Sequence, residues 1–154
     1  MDLPAALRGY NESTQLLLRE AALVTDEQLD QRVPDHWSPR QILHHVADSE
    51  THAYIRLRRL LAEPAGSIIH GYDEAAWAEC EALGYLDLPV THSRAVFRSV
   101  RAASLDLLER IGPGDLARYG DHTESGRYTL ANWLDIYTRH PLEHARQLRQ
   151  ALRA

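Results

Sequence analysis

Apolar residues recur at helical spacing along most of the chain, and the clearest run lies between Trp37 and Leu61. At about 100° per residue, Ile42, Val46, Ser49, Ala53, Leu57 and Leu60 gather on one arc, which predicts a long helix with that face buried. Its start is well marked. Ser38 can accept a hydrogen bond from the first turn, Gln41 can reach back to complete a capping box, and Pro39 falls where a missing N–H costs nothing. Pro64 and Gly66 end the run.

The same reading predicts three more long helices. Leu7, Tyr10, Thr14, Leu17, Leu18, Ala21 and Val24 form a stripe over residues 4–24. Thr25 and Gln28 then begin a short helical turn, and Val33-Pro34-Asp35 breaks the chain. Val96, Val100, Ala103, Leu107 and Ile111 make a third stripe, capped by Thr91 or Ser93 and stopped at Gly112-Pro113-Gly114. Leu116 and Tyr119 suggest one further turn before the polar DHTESGR, after which Thr129 caps a helix with Leu130, Trp133, Leu134, Tyr137 and Leu148 on one arc. The segment from Pro64 to Val90 is irregular enough for a lid-like loop, with a short helix over Tyr72–Cys80 and Trp77 facing inward.

Four amphipathic helices without an alternating strand or internal repeat predict an all-α four-helix bundle. Connections of roughly 13, 28 and 17 residues are too long for tight hairpins, so at least one can cross over the bundle.

Composition narrows the function. The 154 residues suffice for a single domain, 1–154, with a hydrophobic core. No apolar run is long enough for a membrane span and the stretch MDLPAALRGYNEST lacks the basic-then-apolar layout of a signal peptide, which predicts a cytoplasmic protein without a membrane partner. A net charge of -5, with arginines scattered among acids, excludes the basic stripe that nucleic acid requires. The absence of lysine removes Schiff-base chemistry, and the single cysteine, Cys80, removes an internal disulfide.

The histidines carry the candidate chemistry. On the second helix His45 and His52 fall about 300° and about 280° from Ile42, at the edge of the buried arc, whereas His44 at about 200° belongs on the solvent side. On the last helix His140 and His144 are four residues apart on the buried arc, so their rings project side by side and can share one ion. One core-edge histidine alone implies only packing. Two on the inner face of one helix and a third on another make three neutral nitrogen ligands, for which packing is a poor account. Pro141, between the pair, removes the helical bond to Tyr137 and should kink the helix.

The segments WSPRQILHHVADSE, GYDEAAWAE and HTESGRYTLANWLDIYTRHPLEH resemble the DinB/YfiT-like superfamily of metal-binding four-helix proteins over nearly the whole chain. The resemblance implies His45, His140 and His144 as ligands of one divalent metal, an up-down-down-up bundle, a homodimer, and a branch that includes thiol S-transferases using bacillithiol.

Three imidazoles leave an ion its full positive charge and open positions, which is a catalytic pattern. Zinc, nickel and iron all suit such ligands. The leading expectation is therefore a metal-dependent transferase that joins a low-molecular-weight thiol to an electrophilic substrate. A metal-dependent hydrolase and a non-catalytic, stress-related metal-binding bundle are the alternatives. Asp48, one turn beyond His45, is a candidate to orient that imidazole. With reference pKa values of about 6.5, the three ligands should lose metal to protons below that pH.

Overall fold

Capping residues start two of the four long helices as the sequence predicts, whereas neither Thr91 nor Ser93 caps the helix that begins at Thr91, whose N-cap is Val90 with no side-chain bond. Ser38 accepts from the Gln41 amide while Gln41 returns a bond to Ser38, and Thr129 pairs with Asn132 in the same way. The computed structural model describes residues 1–32 and 34–153, so Val33 of the expected chain break lies outside the described residues. The helices are α1 (Leu3–Ala22), α2 (Pro39–Ala62), α3 (Glu74–Glu79), α4 (Thr91–Leu108) and α5 (Leu130–Ala151). No helix among the described residues is long and apolar enough to cross a membrane.

Contacts between the four long helices settle their directions. His45 and Ala53 of α2 meet His140 and Trp133 of α5 respectively, so these helices are antiparallel. His44 and Glu50 meet Ser93 and Arg101, which makes α2 and α4 parallel. Tyr10 and Glu20 of α1 meet Trp133 and Arg149, so α1 and α5 run together. The bundle is therefore up-down-down-up.

The structure adds what the apolar pattern did not predict, a three-stranded sheet of β1 (Ser67–Ile69), β2 (Tyr119–His122) and β3 (Gly126–Thr129). Strands of three or four residues are too short to show alternation, and β1 pairs with β2 in parallel across about a third of the chain, Ser67 opposite Gly120. Tyr119, expected in a helical turn, begins β2. A Cβ at Gly120 would lie 2.5 Å from the Ser67 carbonyl, so this strand can approach β1 only with glycine there.

The buried face of α4 is displaced by one residue from the expected stripe. Phe97, Arg101, Ser104 and Leu108 are buried, whereas Val96 is 39% exposed. Arg101 is the reason: an arginine reads as a surface position, yet here it is 1% exposed at the bundle centre. Its guanidinium donates to the Tyr10 carbonyl (2.7 Å), Ser13 Oγ (3.0 Å) and Thr14 Oγ1 (2.8 Å) of α1, Glu50 Oε1 (3.2 Å) of α2 and the Tyr137 carbonyl (2.6 Å) of α5. The Tyr137 carbonyl is the acceptor that Pro141 frees within α5. A proline in one helix and an arginine in another thus complement each other. Burial pushes the Glu50 carboxyl up to about 7, against the opposing pull of Arg101.

Arg101→Met should lower the unfolding free energy in urea by roughly 3–5 kcal/mol, because it strands the buried Glu50 carboxyl and the Tyr137 carbonyl. Adding Glu50→Met should restore part of that loss by removing the uncompensated acid. A single variant as stable as wild type would show that this network contributes little.

Candidate metal centre

Antiparallel packing of α2 against α5 brings His45 beside His140 and His144, one turn apart on α5. His45 Nε2 lies 3.1 Å from His140 Nε2, which lies 3.0 Å from His144 Nε2, and ligand atoms of all three fall within 4.8 Å of one another. Pro141 does not separate the pair. The His140 and His144 ring centroids are 4.4 Å apart, while the freed carbonyl is turned to Arg101.

The donor set fits a divalent ion. An imidazole nitrogen carries one proton or one lone pair, so His140 Nε2 cannot bond well to both neighbours, whereas a cation can take all three lone pairs. The tautomer agrees: Gln147 Oε1, 2.8 Å from His144 Nδ1, accepts that nitrogen's proton and leaves Nε2 free to ligate. His45 Nδ1 and His140 Nδ1 are buried and have no partner among the described residues. The Trp37 ring, 4.7 Å from the His45 ring, covers the first ligand.

Burial, reinforced by His144, lowers His45 to about 3; burial, reinforced by His144, His45 and Arg101, lowers His140 to about 2; and burial also lowers His144. Proton competition at this site therefore begins well below the reference value near pH 6.5 used for free imidazole.

Two sequence expectations are corrected. Asp48 does not orient His45, because its carboxylate accepts the Tyr85 hydroxyl at 2.7 Å. His44 is not on a solvated face. It is 6% exposed between Ser93 Oγ (2.8 Å) and the Leu88 carbonyl (3.1 Å), because the loop before α4 covers that side of α2. His52 does sit at the core edge, stacked on Tyr72 at 4.1 Å and flanked by Trp77.

Sequence reasoning missed Glu74 and Gln147. Gln147 lies three residues beyond His144 on the same helix, a spacing that could have marked it. Glu74 opens the short α3 and reaches 3.9 Å from His45 Nε2, a contact between distant segments that no local pattern signals. Partial burial raises its carboxyl pKa, Glu124 adds to the rise and Arg56 opposes it. His140, His144 and Glu74 line an open cavity of about 390 Å³ together with Trp37, Glu143 and Gln147.

Comparison with known proteins agrees with this geometry. Residues 10–148 match the DinB superfamily. A protein of Oceanobacillus iheyensis that bears the name "putative metal-dependent hydrolase" is 33% identical over 135 residues, covering 86% of this chain and 76% of that protein. A Bacillus mycoides protein of the same description is 35% identical over 119 residues, covering 75% of this chain and 66% of its own length. The solved structure of YfiT from Bacillus subtilis, described as "a probable metal-dependent hydrolase with an unusual four-helix bundle topology", superposes with a TM-score of 0.86 at 27% identity. That match covers 98% of this chain and 86% of YfiT.

His45→Ala, His140→Ala and His144→Ala should each remove most bound metal by elemental analysis, and Gln147→Leu should weaken affinity by about tenfold or more. His44→Ala should keep its metal but unfold at lower urea. Equal metal content in the His44 and His45 variants would overturn the ligand assignment.

A second expectation follows from the lowered pKa values. Metal-free folded protein cannot protonate these histidines where the unfolded chain can, so this contribution to stability is complete above about pH 6.5 and is lost as pH falls from there toward the folded values. The slope approaches about 1.4 kcal/mol per pH unit for each proton withheld. Urea titrations of chelated protein between pH 7.5 and 4.5 should show a shallower loss for His45→Gln than for wild type. Parallel curves would contradict the burial argument.

Proposed function

The chain belongs to the DinB superfamily, and we propose that it is a metal-dependent hydrolase centred on His45, His140 and His144. The observation that carries this reading is the Glu74 carboxylate, held 3.9 Å from His45 Nε2 in the cavity that exposes His140 and His144. A divalent ion on the three nitrogens would supply Lewis acidity, lowering the pKa of a water or thiol in contact with it and polarising an acyl oxygen.

The protein's own groups do the rest. Partial burial raises the Glu74 carboxyl above its ordinary value, and its position beside the three nitrogens suits a carboxylate that accepts the nucleophile's proton and returns it to the leaving group. Its anchor is firm, since α3 is capped by Asp73 through the Ala76 amide at 2.9 Å. Gln147 holds His144 in the ligating tautomer. Trp37 shields His45 from water on one side, while the other side stays open to substrate.

Transfer of a low-molecular-weight thiol to an electrophile would use the same three nitrogens and the same carboxylate. The names of the relatives and a proton acceptor placed for water favour hydrolysis as the first reading.

Protein loaded in turn with zinc, nickel or iron(II) should hydrolyse members of an ester and amide panel faster than metal-free protein, and chelation should abolish that metal-dependent gain. Glu74→Gln should lower kcat by about 100-fold or more with metal content unchanged. Turnover of thiol with a chlorinated arene in place of hydrolysis would move the assignment to transferase. Absence of both activities in fully loaded protein would leave a non-catalytic metal-binding bundle.

A further inference from the structure

α4 opens without a side-chain cap. Its N-cap carbonyl, Val90, accepts from the Arg94 amide at 2.9 Å, and the amides of Thr91, His92 and Ser93 have no partner among the described residues. The Ser93 hydroxyl, one of the two expected caps, is turned instead toward His44. Ser93 Oγ lies 2.8 Å from His44 Nδ1, and His44 Nε2 lies 3.1 Å from the Leu88 carbonyl. A carbonyl can only accept, so Nε2 carries the proton, Nδ1 offers its lone pair and Ser93 is the donor. That is the order of bonds in a serine nucleophile with its base: hydroxyl to imidazole, and imidazole to an acceptor that holds its tautomer.

The surroundings suit acyl chemistry. Ser93 is half-buried and His44, 6% exposed, lies beneath it. Both line a cavity of about 440 Å³ that shares no lining residue with the three-histidine cavity. Leu83 and Leu88, 40% and 51% exposed, give this cavity an apolar wall, and Pro89 extends it. The free amides at the start of α4 are donors of the kind that stabilise negative charge on an acyl oxygen. Asp48 is already engaged by Tyr85 and its charge disfavours an anionic ligand here.

We propose that Ser93, served by His44, is an acyl-accepting nucleophile in a second site that takes neutral esters of small apolar acyl groups. Ser93 Oγ attacks the acyl carbon as its proton passes to His44 Nδ1. The bond to the alcohol oxygen breaks, the departing alcohol takes that proton, and the acyl group remains as an ester of Ser93. Water then attacks this ester with His44 as base, releasing the carboxylic acid and returning the proton to Ser93.

The test uses p-nitrophenyl butyrate with wild-type protein in the presence of a chelator, with intact-mass and peptide mapping. Chelator-resistant release of nitrophenol is expected, with one butyryl group per chain on the Ser93 peptide. Ser93→Ala should abolish both. His44→Asn, which retains an acceptor near the Nδ1 position but no base, should slow acylation by about 100-fold or more. Because His44 is buried and its variant can lose the fold, labelling of wild type by a fluorophosphonate decides independently: Ser93 must be the labelled residue. Acylation mapped elsewhere, undiminished cleavage by Ser93→Ala, a folded His44→Asn acylating at wild-type rate, or no labelling at all would each overturn the proposal.

Discussion

The buried guanidinium of Arg101 is the constraint on which the bundle depends. A charge with five donors cannot be left in an apolar core, and each donor here ends on an oxygen from another helix. That requirement fixes the rotation of α4, draws α1 and α2 to the same level and turns the Tyr137 carbonyl toward the centre. Since Pro141 has removed the internal partner of that carbonyl, the helix carrying His140 and His144 is held at its weakest point by a residue of α4. The polar network and the candidate metal centre are consecutive on one helix.

Desolvation governs the chemistry of that centre. Three imidazoles brought together in a nearly dry pocket cannot readily charge, so they remain neutral lone-pair donors across a wide pH range. The same desolvation, weaker at the cavity mouth, raises the Glu74 carboxyl above its ordinary value. Neutral ligands inside and a tunable acid at the edge follow from one gradient of burial.

The loops between helices set both sides of α2. The segment after α2 folds into β1 and α3, and the parallel pairing of β1 with β2 anchors it to the approach to α5, which delivers Glu74 to one face. The segment before α4 is tied to α2 by Arg40, which bonds both Asp30 and the Leu88 carbonyl, and it encloses His44 on the other. Adjacent histidines on one helix consequently enter different environments, one beside two imidazoles and one beside a serine hydroxyl.

The amino-acid sequence by itself determined the four long helices, the caps at Ser38 and Thr129 and the inward placing of His45, His140 and His144, because helical periodicity and caps act over a few residues and a short-range pattern reports them. Resemblance to a known family supplied the up-down-down-up order that the contacts bear out. Tertiary structure alone decided the burial of Arg101 and His44, the engagement of Asp48 by Tyr85, the sheet, and the arrival of Glu74 at the three-histidine cluster. Each of these pairs groups far apart in the chain. A polar side chain reads as a surface residue until its distant partners are known, and the free energy that places it in the core comes from those partners and not from its neighbours in sequence.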